Sequence, residues 1–271
     1  MQKILILAAV FFVTNTYAQI PEDAVRYSWY PQNGTARTLA IGGAIGSLGG
    51  DITSNFINPA GIGFYKTNEA TISGGYVFNK TNSSYRGTTL NEKKNQFNFA
   101  PAGVVIAVPN RLNNIKTNAF SIAVTQTANF NNVIHFKGLN NFSSFSEQFA
   151  EEFKKLNTSI NNVLNTNSIA PFTAAPALYT YLIDTVRNGN NLIIKAAPEY
   201  ILDAGQALQQ EMIKTTKGGL YELGFTYAGN DGKKLLWGVS VGIPIVNFES
   251  NTVFSENDTS SNSNNRFKSF S

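Results

Sequence analysis

The chain has 271 residues, of which only 14% are charged and 12% aromatic, with 20 Phe and 11 Tyr. A formal charge of +4 spread over scattered Lys and Arg leaves no nucleic-acid footprint, so no nucleic-acid partner is expected. There is no cysteine, which excludes a disulfide framework and a lipid anchor on an N-terminal cysteine, and the charge is well below the quarter of residues usual in soluble domains.

Met1-Gln2-Lys3 opens the chain, and an apolar run from Ile4 to Val13 leads to Thr14-Asn15-Thr16-Tyr17-Ala18-Gln19. A short positive start, an apolar core and a small residue before the cut predict a secretory signal over 1–18, cleaved after Ala18. The run is too short to cross a bilayer, which takes about 20 residues. A cysteine-free exported chain with no later long apolar run fits a bacterial envelope protein. It is either soluble in the periplasm or crosses a membrane as a closed barrel.

Residues 19–66 are glycine-rich and irregular, with Gly42, Gly43, Gly46, Gly49 and Gly50 crowded together. A nucleotide-binding reading needs a strand, a glycine turn and a full helix. Here Asp51, Thr53 and Asn58-Pro59 come too soon for that helix, and the glycine run holds no Lys. The expectation is a compact segment whose backbone passes close to surrounding walls.

Strands are expected at about 69–79, 95–108, 117–130, 218–229 and 233–248. Phe120, Ile122 and Val124 alternate with Ser121, Ala123 and Thr125, and Tyr221, Leu223, Phe225 and Tyr227 alternate with Glu222, Gly224, Thr226 and Ala228. Trp237, Val239, Val241 and Ile243 alternate with small residues in the same way. Period-2 alternation marks a sheet with one apolar face. The other face is Gly, Ser, Ala and Thr, which suits a barrel with large residues toward lipid and small ones toward the lumen. The alternative is a soluble β-sandwich. Connections run long, short, very long, short and long, as in outer-membrane barrels with short periplasmic turns. Asn230-Asp231-Gly232 supplies a tight turn on the short side.

Pro101 falls inside an expected strand. It cannot complete a ladder, so Pro101-Ala102-Gly103 is the candidate for a bulge or kink. The connection 131–217 is too long to be structureless. Helices are expected over Ser143–Asn157, near Ala177–Val186 and near Glu199–Thr215, with Ser146 as an N-cap. Phe145, Phe149, Phe153 and Leu156 form one stripe, which either lines a hydrophobic groove for ligand capture or packs the helix onto its support.

No catalytic chemistry is expected. His135 is the single histidine, too few for a multi-histidine metal site, and its default is a surface position. No Gly-x-Ser-x-Gly elbow is present, and the adjacent Glu151 and Glu152 point apart on a helix. No cofactor and no metal are expected.

The ordered set Gly34-Thr35-Ala36-Arg37-Thr38-Leu39-Ala40-Ile41-Gly42-Gly43-Ala44, Gly49-Gly50-Asp51 and Asn58-Pro59-Ala60-Gly61-Ile62-Gly63 resembles the N-terminal region of the FadL outer-membrane transport family. The match covers about 20–63, and the strands beyond agree in pattern only. The resemblance implies an all-β fold: the N-terminal part of a transmembrane antiparallel barrel of about 14 strands, with a hatch over 19–66, a barrel over 67–271 and a helical extracellular insertion at about 131–217. It implies that Gly42, Gly43, Asn58, Pro59, Ala60 and Gly61 belong to the hatch, and that a strand kink makes a lateral opening toward the membrane. About five strands are counted, so the chain is expected to be part of a longer protein. The implied function is passive uptake of hydrophobic small molecules, such as fatty acids or aromatic hydrocarbons, across a bacterial outer membrane and in contact with its lipid. The alternative is a PorV-like barrel that binds exported proteins.

Overall fold

The computed structural model describes residues 21–28, 31, 33–110, 113–165, 167–188, 191–232, 234–260 and 267–271. The expected signal segment, 1–18, lies outside them. The described chain is mostly β-sheet with short helices, and it divides into two compact units.

The first unit holds residues up to Tyr76, Phe97–Phe130 and Gly218–Asn247. Its N-terminal segment carries α1 (Pro21–Ser28), α2 (Ala36–Ala40), α3 (Ile45–Leu48), α4 (Ser54–Ile57) and a 3-10 turn over Pro59–Phe64. Gly42 and Gly49, at positive φ, follow α2 and α3, Pro59 follows α4, and side chains cap these short elements locally. Thr35 accepts from the Thr38 N–H, and Asn58 Oδ1 accepts from the Ala60 N–H at 3.2 Å.

The sheet of this unit is built from β1 (Glu69–Thr71), β6 (Ala102–Asn110), β7 (Asn113–Asn129), β11 (Leu208–Asn230) and β12 (Leu236–Asp258), neighbours in that order. β1 with β6, β6 with β7 and β7 with β11 are antiparallel. β2 (Gly74–Val77) pairs with β5 (Gln96–Phe99) in a separate ladder. The turn after β11 is closed by Asn230 Oδ1, which accepts from the Gly232 N–H at 2.8 Å, and by Asp231 Oδ1, which accepts from the N–H groups of Lys234 and Leu235.

Burial on these strands favours the small residues. Along β7 the residues Thr117, Ala119, Ser121, Ala123 and Thr125 are buried, while their neighbours Phe120 and Ile122 are 39% and 37% exposed. On β6 the large Val104, Ile106 and Val108 are likewise exposed, and on β11 Thr226 and Ala228 are buried while Tyr227 is exposed. The covered face packs on the N-terminal segment: Ile52, Ile62 and Tyr65 meet Val105, Ala119, Ala123 and Ala228 in one cluster. A sheet folding around a water-excluding interior puts its large residues inside. This one does the reverse.

The second unit holds Val77–Gln96, Asn131–Lys217 and Phe248–Ser271. β3 (Lys80–Tyr85) and β4 (Thr88–Lys93) form a hairpin turned by Arg86 and Gly87, both at positive φ, where the expected loop 80–94 lies. β8 (Asn132–Asn140) pairs with β11 residues Leu208–Thr216. α5 (Glu147–Leu156), α6 (Ile160–Leu164) and α7 (Ala174–Tyr179) surround a core with the hairpin β9 (Ile183–Asn188) and β10 (Asn191–Ala196) and with α8 (Glu199–Asp203). Phe153, Val163, Ala174, Ile183, Ala196, Ile201 and Leu208 are buried in it. The short β13 (Ser269–Phe270) pairs with Glu256 and Asn257 of β12.

Several expected elements change here. The helix expected over Glu199–Thr215 ends at Asp203, where Gly205 sits at φ 74, and β11 begins at Leu208. The β-branched Ile213, Thr215 and Thr216 favour a strand, and β8 supplies their ladder. The helix expected near Ala177–Val186 instead spans Ala174–Tyr179, and Tyr181 at φ 58 redirects the chain into β9. Ser146 makes no side-chain cap to α5. Its Oγ bonds Ser144 Oγ at 2.7 Å, and Glu147 accepts from the Ser144 N–H at 2.7 Å.

Candidate functional site

The break at Pro101 is where the first unit departs from a regular sheet. β5 ends at Phe99 and β6 begins at Ala102. β5 pairs with β2, whereas β6 pairs with β1 and β7. Proline has no N–H to donate, so the ladder stops there. Ala102 and Gly103 are already paired, opposite Val124 and Ala123, which moves the kink from the expected 101–103 to Ala100-Pro101.

Side chains satisfy the backbone that the break leaves open. The Phe99 N–H donates to Gln126 Oε1 at 3.0 Å, and the Phe99 carbonyl accepts from Asn33 Nδ2 at 3.0 Å. The same Nδ2 donates to the Gln126 carbonyl at 2.6 Å. Asn33 Oδ1 accepts from the Gly34 N–H and from Asn98 Nδ2. One side chain of the N-terminal segment thus ties the end of β5 to β7. Beside it lies a cavity of about 400 Å³, lined by Asn33, Phe56, Ile57, Pro101, Gln126 and Glu222 among others. That volume is within the usual range for small-molecule pockets, about 300–1,000 Å³.

The expected hatch residues assemble within the same N-terminal segment, and none of them is among the residues that line the cavity. Asn58 Nδ2 donates to the Gly46 carbonyl at 2.6 Å while its Oδ1 caps the Pro59–Phe64 turn, so it fastens the glycine run to Asn58-Pro59-Ala60. Gly61 and Gly49 approach so closely that a Cβ on Gly61 would lie 2.9 Å from the Gly49 Cα, and Gly49 sits at φ 61. Gly42 and Gly43, both at positive φ, form the turn after α2. Asp51 is buried and accepts from Thr35 Oγ1 at 2.7 Å and from the Thr53 N–H at 2.9 Å. Burial alone would raise its carboxyl, but these bonds outweigh it and hold the group below its usual range.

Beside the apolar cluster, segment and sheet also share polar contacts, and these are incompletely satisfied. Ser121 Oγ donates to Asn55 Oδ1 at 2.6 Å, and Thr117 Oγ1 donates to the Gly63 carbonyl at 2.7 Å. Asn55 Nδ2, Ser54 Oγ and Thr226 Oγ1 are buried without a hydrogen-bond partner among the described residues. Each such atom costs roughly 1–3 kcal/mol, which weakens adhesion of the segment to the sheet.

No family model, curated protein or solved structure matches this chain. The geometry therefore carries the functional reading.

In the second unit the Phe stripe is divided among three roles. Phe153 is core, and Leu156 packs against that core. Phe145 precedes α5 and stacks on Phe254 with ring centroids 4.5 Å apart. Of the four, only Phe149 lines a cavity of about 600 Å³, together with Phe172, Tyr181, Phe267 and Phe270.

Two polar centres of this unit escaped the sequence. His135 is not a free surface residue: Nδ1 lies 2.8 Å from Glu92 Oε1, and Nε2 lies 2.8 Å from Glu211 Oε1. Lys137 bonds the other oxygen of Glu211 at 2.9 Å. The bonds to Glu92 and then Glu211 raise the imidazole above its ordinary value. Glu256 is fully buried and accepts from Ser144 Oγ at 2.6 Å, the Phe145 N–H at 2.8 Å and Gln210 Nε2 at 2.5 Å. Spacing gives no signal for either, because each joins residues at least 43 positions apart.

Proposed function

We propose that the chain forms the first strands and the hatch of a FadL-like outer-membrane barrel that takes up hydrophobic small molecules passively. The carrying observation is the inverted burial of β7 and β11, where Ser121, Thr117, Thr125, Thr226 and several Ala are covered while Phe120, Ile122 and Tyr227 are exposed, with Val104, Ile106 and Val108 of β6 exposed beside them. An apolar band of this kind suits lipid. The small-residue face then lines a lumen, and the 21–66 segment fills it as a hatch. Incompletely satisfied contacts leave the hatch free to shift, and the break at Ala100-Pro101 is the lateral opening.

A barrel in lipid must pair every strand edge. The reading therefore requires further strands beside β12, whose residues 236–255 pair on one side only among the described residues. The protein catalyses no reaction in this reading and needs no cofactor.

The PorV-like alternative, capture of exported proteins, has one feature in its favour: Phe142, Phe172, Tyr179 and Tyr181 of the second unit are strongly exposed. The deciding experiment measures uptake of a labelled long-chain fatty acid and a labelled aromatic hydrocarbon by cells lacking the full-length gene, with and without its restoration. Rescued uptake of either supports the channel. Uptake that is unchanged for both, and for a labelled long-chain alcohol, overturns it and favours the protein-binding reading.

A further inference from the structure

The cavity beside Pro101 has a chemical sign. Among the described residues, Glu222 is the only ionisable side chain lining it. Glu222 stands on β11 opposite Thr125, half-buried, with no hydrogen bond or ion pair to another described residue. Its carboxylate lies over Gly242 of β12, where a Cβ would come within 2.2 Å of Oε1. Any side chain at position 242 would drive the carboxylate away.

Most other polar groups of the lining are already engaged, Thr53 among them, whose Oγ1 accepts from the Thr35 N–H at 3.2 Å. Asn33 spends its amide on Phe99 and Gln126, and its oxygen accepts from Gly34 and Asn98. Gln126 Oε1 accepts from the Phe99 N–H, and its Nε2 is turned against Gly219. Thr127 donates to the Leu220 carbonyl. Phe56, Ile57 and Pro101 offer apolar surface for a tail. Besides the neutral Thr125 hydroxyl, what remains open to a ligand's polar end is an acceptor carrying negative charge, with no Lys, Arg or His in the lining to offset it.

We propose that this cavity binds an amphipathic molecule whose head group donates hydrogen bonds, an amine or an alcohol, and disfavours one with an anionic head. An unpaired carboxylate in a partly desolvated wall attracts a donor or cation and repels a second anion. The inference rests on the reading of this face as a lumen that small molecules reach, and it narrows the cargo to one class.

The test uses the purified full chain in non-ionic detergent at neutral pH, with decylamine, decanol and decanoate as probes of equal chain length and calorimetry as the readout. Decylamine is expected to bind most tightly and decanoate at least ~10-fold more weakly. Glu222→Gln keeps the shape, removes the charge and should bring amine and acid close to equal. Ile57→Trp, at a half-exposed position of the lining, should abolish saturable binding of all three.

Equal affinities in the native protein, tighter binding of decanoate, or a preference that survives in Glu222→Gln would overturn the proposal. So would saturable binding that is untouched in Ile57→Trp. The native ranking decides the matter by itself if Glu222→Gln does not fold. Because the ranking is read on purified protein, failed cellular uptake of labelled decylamine and decanol as well, with the ranking intact, removes the channel reading alone. Rescued uptake with no ranking removes this inference alone.

Discussion

Asn33 and Phe99 stand 66 residues apart, and a 3.0 Å hydrogen bond from the Asn33 amide to the Phe99 carbonyl joins the N-terminal segment to the last residue before the strand break. Without it, a backbone acceptor beside Pro101 has no ladder to return to. Asn33→Ala removes this bond and the one to Gln126. We expect a loss of about 1–3 kcal/mol, read as a lower unfolding midpoint, with faster amide exchange at 97–99. Unchanged exchange there would show that the bond does not hold the break.

The exposed face of β6 and β7 can be tested by charge. In lipid, Ile122→Lys should cost about 2–4 kcal/mol near the bilayer midplane. On a sheet facing water, an exposed Ile→Lys change falls within about 0.5 kcal/mol. Unfolding in lipid vesicles separates the two outcomes. Ser121→Lys, one residue along and fully buried against Asn55, should be severe in either case.

His135 is the single histidine, so its imidazole gives an unambiguous NMR titration. Glu92 on β4 and Glu211 on β11 flank it, with Lys137 beside Glu211. Its folded-state pKa is raised above the ordinary value of about 6.5. The stabilisation is therefore complete below about pH 6.5 and is lost as pH rises through the folded value. Glu211 is held low, first by Lys137 and then by His135, so its share is lost only as pH falls through its lowered value. Glu92→Gln should bring the His135 titration back toward 6.5. A native titration at or below 6.5 would refute the clasp.

Glu256 is the acceptor around which the turn before α5 is organised. Glu256→Ala strands the Phe145 N–H, Ser144 Oγ and Gln210 Nε2, and we expect a loss of about 3 kcal/mol or more. Glu256→Gln keeps an acceptor and should cost less. The comparison of the two unfolding midpoints checks this, and equal costs would mean that the charge itself is what the turn needs.

Much of the first unit was legible because its signals are local. Alternation placed β7 and the second half of β11, and Pro101 marked the break to within one residue. Asn58-Pro59-Ala60 announced a capped turn. The second unit was harder to read. β8 carries Val133, Ile134 and Phe136 without clean alternation, so nothing separates it from a loop until β11 pairs with it. Glu199–Thr215 has enough helix formers to suggest one helix, and the tertiary partner overrides that propensity. The Asn33 clasp and the Glu222 cavity could not be read in advance, because each depends on residues from distant segments meeting across a fold.

The outward apolar face of β6, β7 and β11 also bears on how the protein is made. A chain that shows such a surface to water associates with its own copies before it finds its final surroundings. If these strands face lipid, as proposed, the chain needs an escort that covers them between synthesis and the membrane, and refolding in vitro should succeed only when detergent is present from the first moment of denaturant removal.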